Sequence, residues 1–422
     1  MKKLSKLLSA LMALCISVSL FAACQSPSKP DDTPKDHICG HVCATCGFCT
    51  DPLCDDPICA DKCEGHEVTG NYSITLTPVE DEVDLHTDLQ KEYLSEGYNS
   101  VSNYANGLEE KSRPEALRLR WSVAENDSLD NNFSYYKIFL SPDETFSRNV
   151  WTYTTFTDYA DVYNLMINSN YYWKVALHLK DGSVSVSETS SFRTAASAPR
   201  NLYVSGITNV RDLGGWETED GAEVKQGLLI RCGRLNKSNR SDIKIEIDAK
   251  GKDAMLKYLG VKTEIDLRLV DNNEVGGLTK TGPLGSSVKY IQCPMDYSYS
   301  NMLLGNRNQI IAIFAILADI NNYPIIYHCN IGTDRTGLIS FLVNGLAGVP
   351  EKSLYRDYLM SNFGDIGGKR SISDMKGIYL DYIKGFDGIT LSKKIYNCLE
   401  SLGVPTKNLD SVINIMKTQK AA

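Results

Sequence analysis

Residues 325–342 read Ile-Ile-Tyr-His-Cys-Asn-Ile-Gly-Thr-Asp-Arg-Thr-Gly-Leu-Ile-Ser-Phe-Leu. An apolar run enters and another leaves, and between them Cys329 stands six positions before Arg335, with Gly332 in the gap. The run "YPIIYHC" is short and continuous, which predicts a strand buried on both faces. "GLISFLVNGLAGVP", residues 337–350, predicts a helix ended by Gly348 and Pro350. A buried strand that delivers a cysteine into a tight glycine loop, with a helix starting near Asp334, brings several backbone N–H groups to one point. That point is an anion site. The helix dipole and the Arg335 guanidinium both favour the thiolate of Cys329, so the thiol is expected well below its usual pKa of about 8.5. Arg335 has the planar fork that holds two oxygens of a phosphoryl group and stabilises the charge spread over them in transfer. His328 is expected to orient the loop and the Thr336 hydroxyl to hydrogen-bond the sulfur; a core histidine and a helix-cap residue are the plainer alternatives.

Outward from the loop the same pattern continues. "VKTEIDLR" (261–268) and "VKYIQCPMD" (288–296) predict strands, and "RNQIIAIFAILADI" (307–320) an amphipathic helix with apolar positions 310, 313, 314, 317 and 320. Alternating strands and helices imply a mostly parallel sheet covered on both faces, with its site beyond the carboxyl ends of the strands, where Cys329 falls.

Upstream of the linker "TAASAPRN" the period changes. "YSITLTPV", "ALRLRWSV", "SYYKIFLS", "NVWTYTTF", "YYWKVALHL" and "SSFRT" alternate with period two, which predicts the antiparallel strands of a β-sandwich. Residues 84–114 interrupt this series and are expected as an insertion after its first strand.

The first 23 residues have Lys2, Lys3 and Lys6, an apolar middle and small residues Ala22 and Ala23 ahead of Cys24. They read as an export signal, and small residues before a cysteine resemble the bacterial lipobox, in which Cys24 becomes the lipidated N-terminus; ordinary secretion is the alternative. A polar, proline-bearing tether follows. His37, Cys39, His41, Cys43, Cys46, Cys49, Cys54, Cys59, Cys63 and His66 then crowd into a stretch with no apolar periodicity, so cross-links must hold it. Two structural zinc sites suit the spacing of Cys43, Cys46 and Cys49, and a disulfide knot is the alternative, with one of the seven thiols left over. A net charge of −8 excludes a general nucleic-acid binder and leaves a membrane contact to the lipid at Cys24.

The loop "HCNIGTDRTG" resembles the His-Cys-x5-Arg-Thr/Ser loop of protein tyrosine phosphatases, and more closely their bacterial branch, whose loop reads His-Cys-x-x-Gly-Lys-Asp-Arg-Thr-Gly. "NVRDLGG" (209–215), "RCGRL" (231–235), "DLR" (266–268) and "DYLMSN" (357–362) resemble that branch's other motifs in the same order. The resemblance implies an α/β cysteine-phosphatase domain over residues 197–422 and a phosphocysteine intermediate on Cys329, with no cofactor for catalysis. It implies that His328, Asn330, Ile331, Gly332, Thr333 and Thr336 contact a phosphotyrosine-type substrate. The acid that protonates the leaving oxygen is Asp334, as in the bacterial branch, or Asp296, which resembles the acid loop of dual-specificity phosphatases. Cys232 stands where the family has serine, and Thr333 replaces a lysine, removing a positive charge from the expected mouth of the loop. Residues 112–195, with Trp121 and with Leu165 six positions before Tyr171, resemble a fibronectin type III domain. The chain is thus expected to be multi-domain: a signal peptide over 1–23, a Cys-rich tether over 24–67, an all-β sandwich with an insertion over 71–195 and the phosphatase domain. Its expected place is outside the membrane. An inositol polyphosphate or phosphoinositide phosphatase, and a surface anion-binding or adhesion protein, are the other readings.

Overall fold

The computed structural model describes residues 72–124, 127–236, 245–271, 274–275 and 279–419. The expected signal peptide, Cys24 and the ten cysteine and histidine residues between His37 and His66 lie outside the described residues. Among the described residues no helix is long and apolar enough to cross a membrane.

The N-terminal unit contains β1 (Ile74–Leu76), β2 (Glu82–Val83), β3 (Leu117–Val123), β4 (Phe133–Ser141), β5 (Trp151–Thr155), β6 (Tyr159–Val162), β7 (Asn170–Leu179), β8 (Val184–Val186) and β9 (Ser190–Thr194). One sheet has the order β1-β3-β6 and the other β2-β9-β7-β4-β5, with β8 on the side of β7. Alternation explains the core: β3 turns Leu119 and Trp121 inward and Arg118, Arg120 and Ser122 outward. Trp121 packs with Tyr136, Ile138, Trp173 and Val175 from the facing sheet.

The C-terminal unit is built on one sheet of β10 (Arg211–Asp212), β11 (Leu229–Cys232), β12 (Thr263–Asp266), β13 (Lys289–Gln292) and β14 (Ile325–His328), in the order β10-β11-β14-β12-β13. All pairs are parallel except β10 with β11. β14 lies in the middle with all four residues buried, which is why its sequence is a continuous apolar run. The helices that matter for the site are α1 (Asp88–Ser95), α2 (Arg307–Leu317), α3 (Asp334–Ala347), α4 (Glu351–Leu359), α5 (Leu391–Ser401) and α6 (Thr406–Met416). α3 is buried from Arg335 to Ala347 and ends at Gly348, whose φ of 97° needs glycine. α2 stops one turn short of the expected length: Ile310, Ile313, Phe314 and Leu317 are buried, but Asp319 caps a separate 3₁₀ turn that leaves Ile320 exposed.

The segment expected as an insertion of the sandwich packs on the other unit. Tyr93, Val101 and Ala105 join the same apolar cluster as Cys329 and α3. Tyr93 stacks obliquely on Phe363 at 5.6 Å and Tyr98 meets Tyr355 edge-on at 5.4 Å. The carbonyl of Gly107 accepts from the amides of Ile366 and Gly368, and the Ser112 hydroxyl accepts from the Asn209 amide at 3.1 Å. α1 is held by a capping box between Thr87 and Gln90, and the Gln90 amide also donates to the carbonyls of Lys111 and Arg113.

Burial of Tyr93 is complete, so Tyr93→Ala should cost about 3–5 kcal/mol in urea unfolding. By the same contacts a 197–422 fragment should melt below a 72–422 chain; equal melting temperatures would show that residues 84–114 are dispensable to the C-terminal unit.

Candidate active site

β14 ends at His328 and the chain turns sharply through residues 329–333 into α3. Gly332 has φ 72°, and a Cβ there would lie 2.4 Å from the carbonyl oxygen of Cys232, so the turn demands glycine twice over. Cys329 is buried at the bottom of this turn. Burial opposes ionisation of its thiol, yet the Arg335 guanidinium and the hydroxyl and amide of Thr336 outweigh it, and the pKa falls below the ordinary cysteine value.

Arg335 is held in place by a residue that carries no signal in the sequence. Its Nη1 and Nη2 donate to the two oxygens of Glu274, each at 2.7 Å, and Nη1 also reaches the carbonyls of Leu267 and Met295. Nε is buried and donates to no acceptor among the described residues. The fork is therefore fixed at its far end with a charged donor left for an incoming oxygen.

The side chains of the loop residues expected to contact substrate are largely turned into the protein. His328 is fully buried, with Nε2 3.1 Å from Glu264 and Nδ1 3.8 Å from Asp266. The Asn330 side chain accepts from Arg234 at 3.1 Å. Ile331 packs in an apolar cluster with Cys232, Ile230 and Ile326. Thr333 is fully buried, its hydroxyl 3.4 Å from the Ile331 carbonyl and 3.3 Å from the Asn209 amide, so it does not stand at the mouth. A turn this tight leaves these residues only their main chain to offer an anion. Thr336 is the exception: its hydroxyl and amide lower the pKa of the Cys329 thiol.

Around the loop the other motifs converge. Asp357, at the end of α4, accepts from Arg211 Nε at 2.8 Å and from Arg231 Nη1 at 2.7 Å. Arg231 donates onward to the Gly332 carbonyl at 2.8 Å, and Arg211 to the Asn209 side-chain oxygen. Asn209 then donates to the carbonyls of Ile331 and Gly332. Asp212 pairs with Arg200 and Arg268 with Asp266, so these too are ion-pair residues of the frame. Burial works against the Asp266 carboxylate, but His328 and Arg268 bring its pKa down to about 2. Cys232 is buried beside Glu264, which pushes its thiol well up; it packs with Ile331 on the sheet face opposite to Cys329.

The two candidate acids differ. Asp334 faces Arg370 through both oxygens, at 3.1 and 3.3 Å. Asp296 lies in the turn after β13, its main chain pinned by Asn306 on both sides and its carboxylate accepting from the Ser298 amide at 2.8 Å. That amide, the Ser298 hydroxyl and Arg335 hold its pKa below the usual range. Glu274 and Arg370 were not singled out by the sequence, whereas Asn209 and Arg231 open the motifs at 209–215 and 231–235. The one available signal was chemical: an arginine buried beside a thiolate requires a carboxylate, and Glu274 is an acid in the loop that follows β12.

Two measurements test this construction. Thr336→Val should move the pH midpoint of Cys329 alkylation upward, because the thiolate loses a donor while burial is unchanged. Asp357→Asn leaves two buried arginines short of a charge and should destabilise the protein by about 3–5 kcal/mol; an unchanged urea midpoint would sink the role given to it.

Residues 202–376 match the family model described as "Tyrosine phosphatase family". Curated relatives include a tyrosine-protein phosphatase of Nostoc commune, 28% identical over 123 residues that cover 25% of this chain and 42% of the relative. A relative from Cupriavidus necator is 23% identical over 188 residues, 38% of this chain and 63% of the relative. The chain thus spans about half the length of the curated relatives it matches. Similar solved structures include the core catalytic domain of the PP-IP phosphatase SIW14 from S. cerevisiae in complex with citrate, with TM-score 0.25 and 13% identity over 39% of this chain and 84% of that one. TpbA of P. aeruginosa matches with TM-score 0.28 and 16% identity over 43% of this chain and 89% of its own, and a C-to-S variant of it was solved with pTyr. It is the segment 202–376, holding the Cys329 loop and the Asp357 brace, that is similar to the tyrosine phosphatase family.

Proposed function

We propose that this chain is a phosphoric monoester hydrolase that acts on phosphotyrosine-type aryl esters through a phosphocysteine on Cys329. The observation that supports this most directly is the pairing of an acidified, buried thiol with an Arg335 fork fixed by Glu274 and an unused Nε. Cys329 attacks phosphorus, the bond to the leaving oxygen breaks, and that oxygen takes a proton from an acid; water then attacks the phosphocysteine and releases phosphate and thiolate. No metal enters these steps.

For the acid we take Asp296 over Asp334. An oxygen already receiving a guanidinium hydrogen is poorly placed to carry a proton, and Arg370 faces both oxygens of Asp334. Asp296 is within the field of Arg335, and the adjacent Met295 carbonyl touches that guanidinium. A bound phosphate dianion would raise a carboxyl so placed toward the protonated form.

The remainder of the reading is anchoring. Lipid at Cys24 would hold the chain outside the membrane, the cysteine and histidine residues between His37 and His66 would cross-link a stalk through zinc or disulfides, and the sandwich would serve as a spacer. A fibronectin type III identity for the sandwich is supported by its sheet orders and by the Tyr171 hydroxyl, which accepts from the Met166 amide at 2.9 Å.

Cys329→Ser should abolish turnover of phosphotyrosyl peptide yet keep phosphate binding, and chelators should leave the native rate unchanged. Asp296→Asn should slow phosphotyrosine hydrolysis by about 10²-fold while sparing nitrophenyl phosphate, whose leaving group needs no proton. The larger loss in Asp334→Asn would return the role to that residue, and faster turnover of inositol phosphates than of phosphotyrosine would overturn the substrate class.

A further inference from the structure

Asn209 holds the turn that carries Cys329, and it does so from a backbone conformation that needs support. Its φ is 58°, in the left-handed region that is strained for most side chains and that asparagine bears better than most. From that conformation the carboxamide donates to the carbonyls of Ile331 at 3.2 Å and Gly332 at 3.0 Å, and accepts from Arg211. Asn209 is fully buried, so its own main-chain N–H has to find an acceptor inside the protein. The acceptor is Ser112 Oγ, at 3.1 Å.

Ser112 is fixed for this contact from several sides. Its hydroxyl hydrogen is committed to Glu110 Oε1 at 2.6 Å, which leaves a lone pair for the Asn209 amide. The Gln90 carboxamide donates to the carbonyls of Lys111 and Arg113, one on each side of Ser112. The amides of Gly107 and Lys111 donate to the carbonyls of Asn362 and Phe363, in the turn just after α4. Ser112 is buried, and it lies well before the segment 202–376 that carries the family resemblance.

From this we infer that Ser112 is a positioning residue for the phosphatase reaction: by accepting from the Asn209 amide it keeps the Asn209 carboxamide on the carbonyls of the Cys329 turn. The inference rests on the phosphomonoester reading and adds to it a group from the N-terminal part of the chain. Ser112 acts only through Asn209. Without its hydroxyl the buried Asn209 amide has no partner and the left-handed conformation loses its support, so the backbone relaxes and withdraws the carboxamide. The amides of the turn then lose their alignment. That weakens their hold on the charge of the transition state more than on the bound substrate.

The test is a double-mutant cycle in the full-length protein, with turnover of a phosphotyrosyl peptide measured well below the melting temperature of each variant. One buried hydrogen bond predicts an effect of about tenfold. Ser112→Ala should lower kcat by about tenfold and keep KM within about twofold of the native value. Asn209→Gly removes the carboxamide and accepts the positive φ without strain, and in that background Ser112→Ala should cost less than about twofold more. A full tenfold loss in the Asn209→Gly background would mean that Ser112 acts by another route and would overturn the inference. So would a native kcat in Ser112→Ala, even with a lowered melting temperature, because the hydroxyl would then serve stability alone. A native protein with no turnover of the peptide would fell the functional reading and this inference together, whereas native turnover with either of the other results removes the inference alone.

Discussion

The buried carboxylate of Asp357 carries two arginines, and the catalytic loop hangs from both. Arg211 comes from β10 and Arg231 from β11, strands that pair antiparallel with each other. Two guanidinium groups side by side repel, and burial adds to the cost; the charge of Asp357 between them makes the arrangement stable. Arg231 then fixes Gly332 directly, and Arg211 fixes Asn209, which fixes Ile331 and Gly332. The turn that holds Cys329 is therefore bonded from outside on its carbonyl oxygens. Because those oxygens are engaged on the protein side, the loop amides are free to serve an anion on the other.

The second constraint is electrostatic and acts on Arg335. A guanidinium alone beside a thiol has no reason to lie flat at the base of a loop, and it loses hydration by being there. Glu274 compensates through two charged hydrogen bonds, and the remaining positive charge lowers the Cys329 pKa. The nucleophile thus depends on a carboxylate that never touches it. Asp334 and Arg370 make a similar pair, with the guanidinium donating to both carboxylate oxygens.

The sequence revealed the parts whose chemistry is contained in one short stretch. Cys329 and Arg335 are six positions apart, and strand, turn and helix follow from the apolar runs around them. The partners of Asp357 lie 146 and 126 positions away, and no local pattern says which arginine meets which acid. Thr333 was misplaced for a related reason: its position in the loop is legible, but the direction of its side chain depends on Asn209, 124 residues upstream. Ile320 continued the helical period of α2, and a single capping aspartate was enough to end the helix before it. Residues 84–114 lie between β2 and β3, and no local pattern in them says which unit they pack against.

That packing joins the two units more closely than a linker would. The chain leaves the sandwich after β2, packs α1 against Phe363 and the segment after α4, places Ser112 on the Asn209 amide, and returns as β3. Arg200 closes the same joint from the other direction: Nε donates to the Leu165 carbonyl, while Nη1 pairs with Asp212 beside β11. Each unit therefore supplies a piece of the other's surface, and Asn209, which holds the catalytic turn, is itself held by a residue from the middle of the sandwich sequence.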